Sequence, residues 1–230
     1  MIGVRRGARV LDWSGCRNAR DLGGLSAWGG HLIRRGALLR SDSHERLAPP
    51  TVEALRSGRV SRIVDLRWAW ECEKQPSPFV HDPVYRHVPM LDDVLAYTPP
   101  PDTYAPMLDH NRHRIGAAFR AVAEAPPGGV LVHCTAGRDR TGVLVALLLT
   151  VAGVTAEDIA ADYALTDSCS PQPMRHTLAH LDQRHGGVRA YLLTAGVGAE
   201  ALAAVRERLL SAGVGRDTPR SASVTGGRTV

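Results

Sequence analysis

Apolar and polar positions fall into blocks along this chain, and the period changes from block to block. Ser61 to Leu66 is short, β-branched and apolar, the pattern of a buried strand. Val130 to Val132 is a second wholly apolar run, and Val84, Tyr85 and Val88 between Pro83 and Pro89 predict a third strand. A β-ribbon is expected over His31 to Arg40, punctuated by Gly29-Gly30 and Gly36. Helical patterns lie between and after these runs. Pro49-Pro50-Thr51 opens a short helix that ends near Gly58, and a longer one over about 107–125 is stopped by Ala125-Pro126-Pro127-Gly128-Gly129. An apolar helix starts at about Thr141. Thr155-Ala156-Glu157-Asp158 resembles a capping box, with Asp in the last place, and opens a helix to about Leu165. Residues 171–184 and 200–210 form two further helical patterns, divided by Gly186-Gly187. Strands alternating with helices predict an α/β fold with a mainly parallel central sheet.

The 230 residues suit one domain, placed at 1–212. Residues 213–230 are Gly, Ser, Thr, Arg and Pro with few apolar positions, the composition of a disordered tail. Residues 92–106, rich in Pro, Asp and Tyr, read as a surface segment or lid. The longest apolar run, Val143 to Val154, falls short of the roughly 20 residues a bilayer requires and reads as a buried helix. Arg5 and Arg6 are not followed by a signal-peptide core. No integral membrane segment is expected, and the expected compartment is the cytoplasm.

Charge changes this picture little. The formal net charge is +5, almost all the basic residues are Arg, and Lys74 is the only lysine. A GC-rich genome accounts for that bias; a taste for anionic ligands is the functional alternative. With no run of five basic residues and no aromatic-and-basic platform, no nucleic-acid partner is expected. Cysteines 16, 72, 134 and 169 have neither zinc-site nor disulfide-framework spacing. His176 and His180 stand four apart on a predicted helix, but the Glu of a zinc-protease helix is missing, and Arg175 and Arg184 point to a solvated face. No metal and no cofactor is expected. The signals for oligomeric state are nil.

The chemistry concentrates in His133-Cys134-Thr135-Ala136-Gly137-Arg138-Asp139-Arg140-Thr141-Gly142, set between an apolar strand and an apolar helix. A strand, a Cys-x5-Arg loop and a helix together wrap backbone N–H groups around an anion, with the helix's positive end aimed at the same point. Thr135 to Arg140 form that phosphate cradle: Gly137 lets the backbone turn inward, and Arg140 offers a planar fork to two phosphate oxygens. The same donors favour the thiolate of Cys134, a nucleophile that attacks phosphorus to give a phosphocysteine. Asp139, inside the loop, is the first choice to protonate the leaving group and later activate water; Asp92, on a segment able to swing over the site, is the second. Thr141 is expected to bond the sulfur, and His133 to orient the loop through its ring nitrogens.

Beyond those residues the chain resembles the bacterial tyrosine-protein phosphatases with an H-C-x-x-G-K-D-R-T-G loop, an atypical group of broad specificity. Asn18-Ala19-Arg20-Asp21-Leu22-Gly23-Gly24, Leu39-Arg40-Ser41-Asp42, Val64-Asp65-Leu66-Arg67 and Asp162-Tyr163-Ala164-Leu165 match its other landmarks, and the likeness covers about residues 13 to 212. The resemblance implies a cysteine-phosphatase fold with four or five strands flanked by helices. It carries over Cys134 as nucleophile, Arg140 as phosphate ligand, Asp139 as acid and Asp92 as a supporting aspartate, with Arg20 and Asp21 as charged supports behind or beside the loop. It implies a phosphorylated protein as substrate, phosphotyrosine first, with phosphoserine, phosphothreonine and phosphoinositides as further classes. Arg138 replaces the family lysine that is linked to phosphoinositide acceptance, keeping charge but not shape. Some relatives leave the cell without a recognisable signal, so signal-less secretion stays open. Two other functions share the loop: a module that holds a phosphorylated partner without turnover, and thiol redox, which needs a resolving cysteine.

Overall fold

The computed structural model describes residues 9–92 and 101–211. The expected tail over 213–230 and much of the expected lid lie outside the described residues. Among the described residues six strands form one sheet: β1 (Arg9–Val10), β2 (Arg20–Asp21), β3 (Leu38–Ser41), β4 (Val60–Asp65), β5 (Tyr85–His87) and β6 (Gly129–His133), in the order β1-β2-β3-β6-β4-β5. β3, β6, β4 and β5 run parallel, and the two-residue strands β2 and β1 add antiparallel at one edge. The parallel register sets Ser41, His133 and Asp65 side by side at the carboxyl ends of three strands. Crevices at those ends are where open α/β sheets bind ligands.

The period-2 alternation of the strands builds two cores. Leu39, Ile63 and Leu131 face one side, where they pack with Val52 and Leu55 of α1 (Pro49–Ser57) and with Phe79. Leu38, Val64, Val130 and Val132 face the other, larger core. There the apolar run predicts correctly: α5 (Asp139–Ala152) is buried along nearly its whole length, enclosed by α4 (Arg112–Ala123), α6 (Ala156–Tyr163), α7 (Gln172–His185), α8 (Val188–Thr194) and α9 (Ala199–Leu209). Gly153, at φ 89°, ends α5 in the left-handed conformation a side chain would resist.

Several local expectations are corrected. The single helix over 107–125 is two, α3 (Ala105–His110) and α4, because Asn111 stands between them at φ −116°. Its amide side chain donates to Met107 O at 3.1 Å and accepts from the Asp92 backbone N–H at 2.8 Å, a local alternative to helical bonding. The ribbon over 31–40 shrinks to β3 and isolated bridges such as Ser26 with Leu32. The loop helix starts at Asp139, two residues early. The short helix α2 (Ala69–Lys74) escapes the sequence reading, having too few turns to show a period.

Candidate active site

Cys134 directly follows β6 and is 2% exposed. The loop that follows is held by its carbonyls. Leu66 N donates to His133 O (2.9 Å) and Ser43 N to Thr135 O (3.0 Å). Asn18 Nδ2 donates to both Ala136 O and Gly137 O (3.0 Å each), and a buried Arg40 donates to Gly137 O (2.7 Å). In a planar trans peptide the N–H points opposite the C=O. Carbonyls drawn outward therefore turn the N–H groups of Ala136, Gly137 and Arg138 inward, beside the first turn of α5. Gly137, at φ 64°, has Ser41 O only 2.3 Å from where a Cβ would stand, so the loop closes this tightly because that position is glycine.

Arg140 is 8% exposed. Its fork meets Glu71 of α2 twice, Nη1 to Oε2 at 2.5 Å and Nη2 to Oε1 at 2.9 Å, and Nη2 also reaches Thr135 Oγ1 at 3.2 Å. The Thr135 hydroxyl donates to the same carboxylate. Trp68 lies against the guanidinium, ring centre to Cζ 4.6 Å, and stacks on Trp70. Burial opposes the charge on Arg140, but Glu71 outweighs it and holds the guanidinium above its ordinary pKa. Burial pushes the Glu71 carboxyl up, and the Arg140 and Thr135 bonds bring it below the usual range.

A buried charge cluster stands behind the loop. Asp162 of α6 accepts from Arg20 Nε at 2.8 Å and from Arg40 Nη1 at 2.8 Å. Arg20 also bonds Asn18 Oδ1 (2.5 Å), which orients the amide that clamps the loop. Burial and Arg20 lower the Arg40 pKa to about 10 despite Asp162. Asp21 does otherwise: its carboxylate takes the N–H groups of Gly23 and Gly36, fixing the turn before β3. Asp65 bonds Arg67 and Tyr85, and the His133 ring lies tilted against His44 with ring centres 3.9 Å apart. His133 Nδ1 is 3.3 Å from Cys134 O, while its Nε2 stands 3.5 Å from Asp65 without hydrogen-bonding geometry. Burial holds both imidazoles below their ordinary pKa, hence neutral at pH 7.

Asp139 opens α5 and accepts from the Tyr104 hydroxyl and from Arg138 Nε at 3.0 Å. Tyr104 and Tyr163 share a hydroxyl contact of 2.6 Å, and both phenols are pushed up by burial first. These groups and Cys169 line a cleft of about 350 Å³ on one side of the loop; Thr135, Ala136 and Arg138 border a second, of about 410 Å³, on the other. The exposed Arg138 divides the two. The Asp92 carboxylate is not brought to the loop: it pairs with Arg114 of α4, and only its backbone carbonyl, bonded to Trp68 Nε1, touches the site. Thr141 does not bond the sulfur; its buried hydroxyl has no partner among the described residues. Cys16 lies on Asp42 and Cys72 near Asp65, and burial with those carboxylates raises their thiol pKa values to about 12 and 11. His176 and His180 do not pair: His176 Nδ1 faces Asp102 O, and His180 turns to Asp109.

Sequence reasoning missed Glu71, Tyr104 and the part of Trp68. Glu71 did leave a signal, since it caps α2 three residues after Trp68, on the segment leaving the carboxyl end of β4. Tyr104 left none, because its contact with Asp139 spans 35 residues of chain.

Residues 11–173 match the model of the family described as the tyrosine phosphatase family. A Cupriavidus necator protein, named provisionally as a tyrosine-protein phosphatase, is 30% identical, covering 76% of this chain and 70% of its own. A tyrosine-protein phosphatase of Nostoc commune is 28% identical over 79% of this chain and 76% of its own. A triple specificity protein phosphatase of Mycobacterium tuberculosis is 35% identical over 76% and 75%.

Proposed function

Since the chain belongs to the tyrosine phosphatase family, we propose that Cys134 is the nucleophile with which it hydrolyses phosphotyrosine in proteins, and that residues 1–212 form the one domain that does so. The observation that carries this is the outward anchoring of the loop carbonyls, which leaves the N–H groups of Ala136, Gly137 and Arg138 to hold three phosphate oxygens over the sulfur. In the first step the Cys134 thiolate attacks phosphorus. The S–P bond forms, the P–O bond to the tyrosine breaks, and Asp139 gives its proton to the departing phenoxide. Arg140, oriented by Glu71, steadies the charge on the equatorial oxygens. In the second step water attacks phosphorus, Asp139 takes the water's proton, the S–P bond breaks and phosphate leaves.

Asp139 is preferred to Asp92 as the acid because it lines the cleft at the loop, whereas Asp92 is engaged with Arg114. Arg20 acts through Asn18, and His133 supports the loop from beneath. Phosphoserine, phosphothreonine and phosphoinositides are the further substrate classes, with Arg138 on the rim between the two clefts as the cation they would meet. Among the described residues no helix is long and apolar enough to cross a membrane. A reducing compartment such as the cytoplasm suits a thiol nucleophile.

The test is hydrolysis of p-nitrophenyl phosphate under reducing, metal-free conditions by wild type and Cys134→Ser. Turnover is expected in wild type alone, while the variant still binds phosphate. A folded wild type without turnover would leave the phosphate-holding module as the better reading. Asp139→Asn is expected to slow aryl phosphates with high-pKa leaving groups more than those with low-pKa ones. Equal slowing would move the acid's role elsewhere, to Asp92 first.

A further inference from the structure

On the flank of the molecule, where α3 meets α7, three metal-binding side chains converge outside the phosphate site. His180 Nε2 lies 3.0 Å from Asp109 Oδ1, and His185 Nε2 lies 2.9 Å from the same oxygen. All three ligand atoms stand within 4.8 Å of one another. Among the described residues no guanidinium pairs with Asp109; its partners there are the two imidazoles. The site thus offers one carboxylate oxygen and two imidazole nitrogens to a common point.

From this geometry we propose that Asp109, His180 and His185 bind a divalent transition metal, zinc by preference, as a clamp between α3 and α7. Zinc takes imidazole nitrogen and carboxylate oxygen at about 2.0–2.2 Å, which spaces its ligands a little over 3 Å apart. The two Asp109–imidazole spacings are already close to that. Binding moves each ring's proton to Nδ1 and turns the Nε2 lone pair to the metal. The side chains are 32%, 21% and 13% exposed in the order Asp109, His180, His185, so water reaches the fourth position. The His185 ring is steadied edge-on by Tyr191, ring centres 5.1 Å apart, and the Tyr191 hydroxyl donates to Leu108 O beside Asp109. Supports of this kind fix ligand orientation before the metal arrives.

The clamp bears on the phosphate site through one residue. Tyr104, immediately before α3, donates its backbone N–H to Thr177 Oγ1 of α7 at 2.8 Å and its hydroxyl to Asp139. Tying α3 to α7 stiffens the mount that holds Tyr104. The site stands on its own geometry and does not depend on the phosphatase reading.

The experiment is zinc titration by calorimetry on chelator-treated Cys134→Ser protein, which removes the loop's competing sulfur. One zinc per chain is expected, with a rise in melting temperature, and cobalt(II) is expected to give the intense visible bands of a four-coordinate site. His180→Ala and Asp109→Asn are each expected to weaken zinc at least tenfold. His180 is more exposed than His185, so its removal leaves a folded chain, checked by circular dichroism. No stoichiometric uptake, or uptake unchanged in both variants, overturns the proposal. So does a result in which both variants melt lower without metal while the parent ignores zinc, since the three residues would then be a hydrogen-bonded clasp only.

Discussion

Arg140 does not hold its position alone. Its fork is spread between Glu71 and Thr135, and its face is covered by Trp68. A carboxylate here does two things: it keeps a buried guanidinium charged, and in the proposed mechanism it fixes the plane in which the remaining N–H groups meet phosphate. Charge-assisted hydrogen bonds contribute about 1.5–3 kcal/mol each. Replacing Glu71 by Gln weakens both contacts without emptying the space. The expected result is a fall in kcat/KM on aryl phosphates of roughly 10-fold to 100-fold, with the fold retained and the melting temperature lowered by a few degrees. An unaltered kcat/KM would mean that Arg140 finds its orientation from the loop and Trp68 without Glu71. This pairing was only partly legible in the chain's order of residues. The cap on α2 is a local signal, but the meeting of Glu71 with a side chain 69 positions later is not.

The elements around the loop are joined by charges that water does not reach. Asp162 of α6 binds Arg20 of β2 and Arg40 of β3, and all three side chains are at most 3% exposed. Removing one partner of such a set leaves unpaired cations in low dielectric, a loss of about 3–5 kcal/mol. Asp162→Ala is expected to lower the melting temperature by roughly 10 °C, and to reduce phosphate binding as Arg20 and Arg40 let go of Asn18 and Gly137. A melting temperature within a degree of wild type would show that the cluster is wet or dispensable. The strands and long helices of this neighbourhood were readable, because period and apolar content mark them: β4, β6 and α5 fall where expected to within about two residues. The helix break at Asn111 was not, since the cause is a side-chain contact with Asp92 across 19 residues.

Acid exposes a property of the chain taken together. His44 and His133 lie against each other fully enclosed, facing Asp65, Arg67 and Phe79. Burial depresses both folded-state pKa values below the ordinary 6.5, so the unfolded chain binds protons first as pH falls. Their contribution is complete above about pH 6.5 and is lost as pH drops toward the lower folded values. Asp162 behaves in the same sense at lower pH. Burial raises its pKa, Arg40 and Arg20 outweigh that, and its contribution is complete above about pH 4 and fades below. Melting temperature against pH is therefore expected to be level from 8 to 7, to decline between about 6.5 and 5, and to fall again below 4. His44→Leu should flatten the first decline and leave the second; an unchanged first decline would assign it to other histidines. The cysteine loop, the strands that carry it and the apolar helix behind it follow from residue order, because a strand, a tight glycine turn and a helix N-terminus are local structures written within about twenty positions. The partners of Arg140, Asp139 and Asp162, the divergence of Asp92 from the loop and the meeting of Asp109 with His180 and His185 all depend on side chains tens of residues apart. Those are set by how the layers pack, and packing geometry leaves no local trace in the chain.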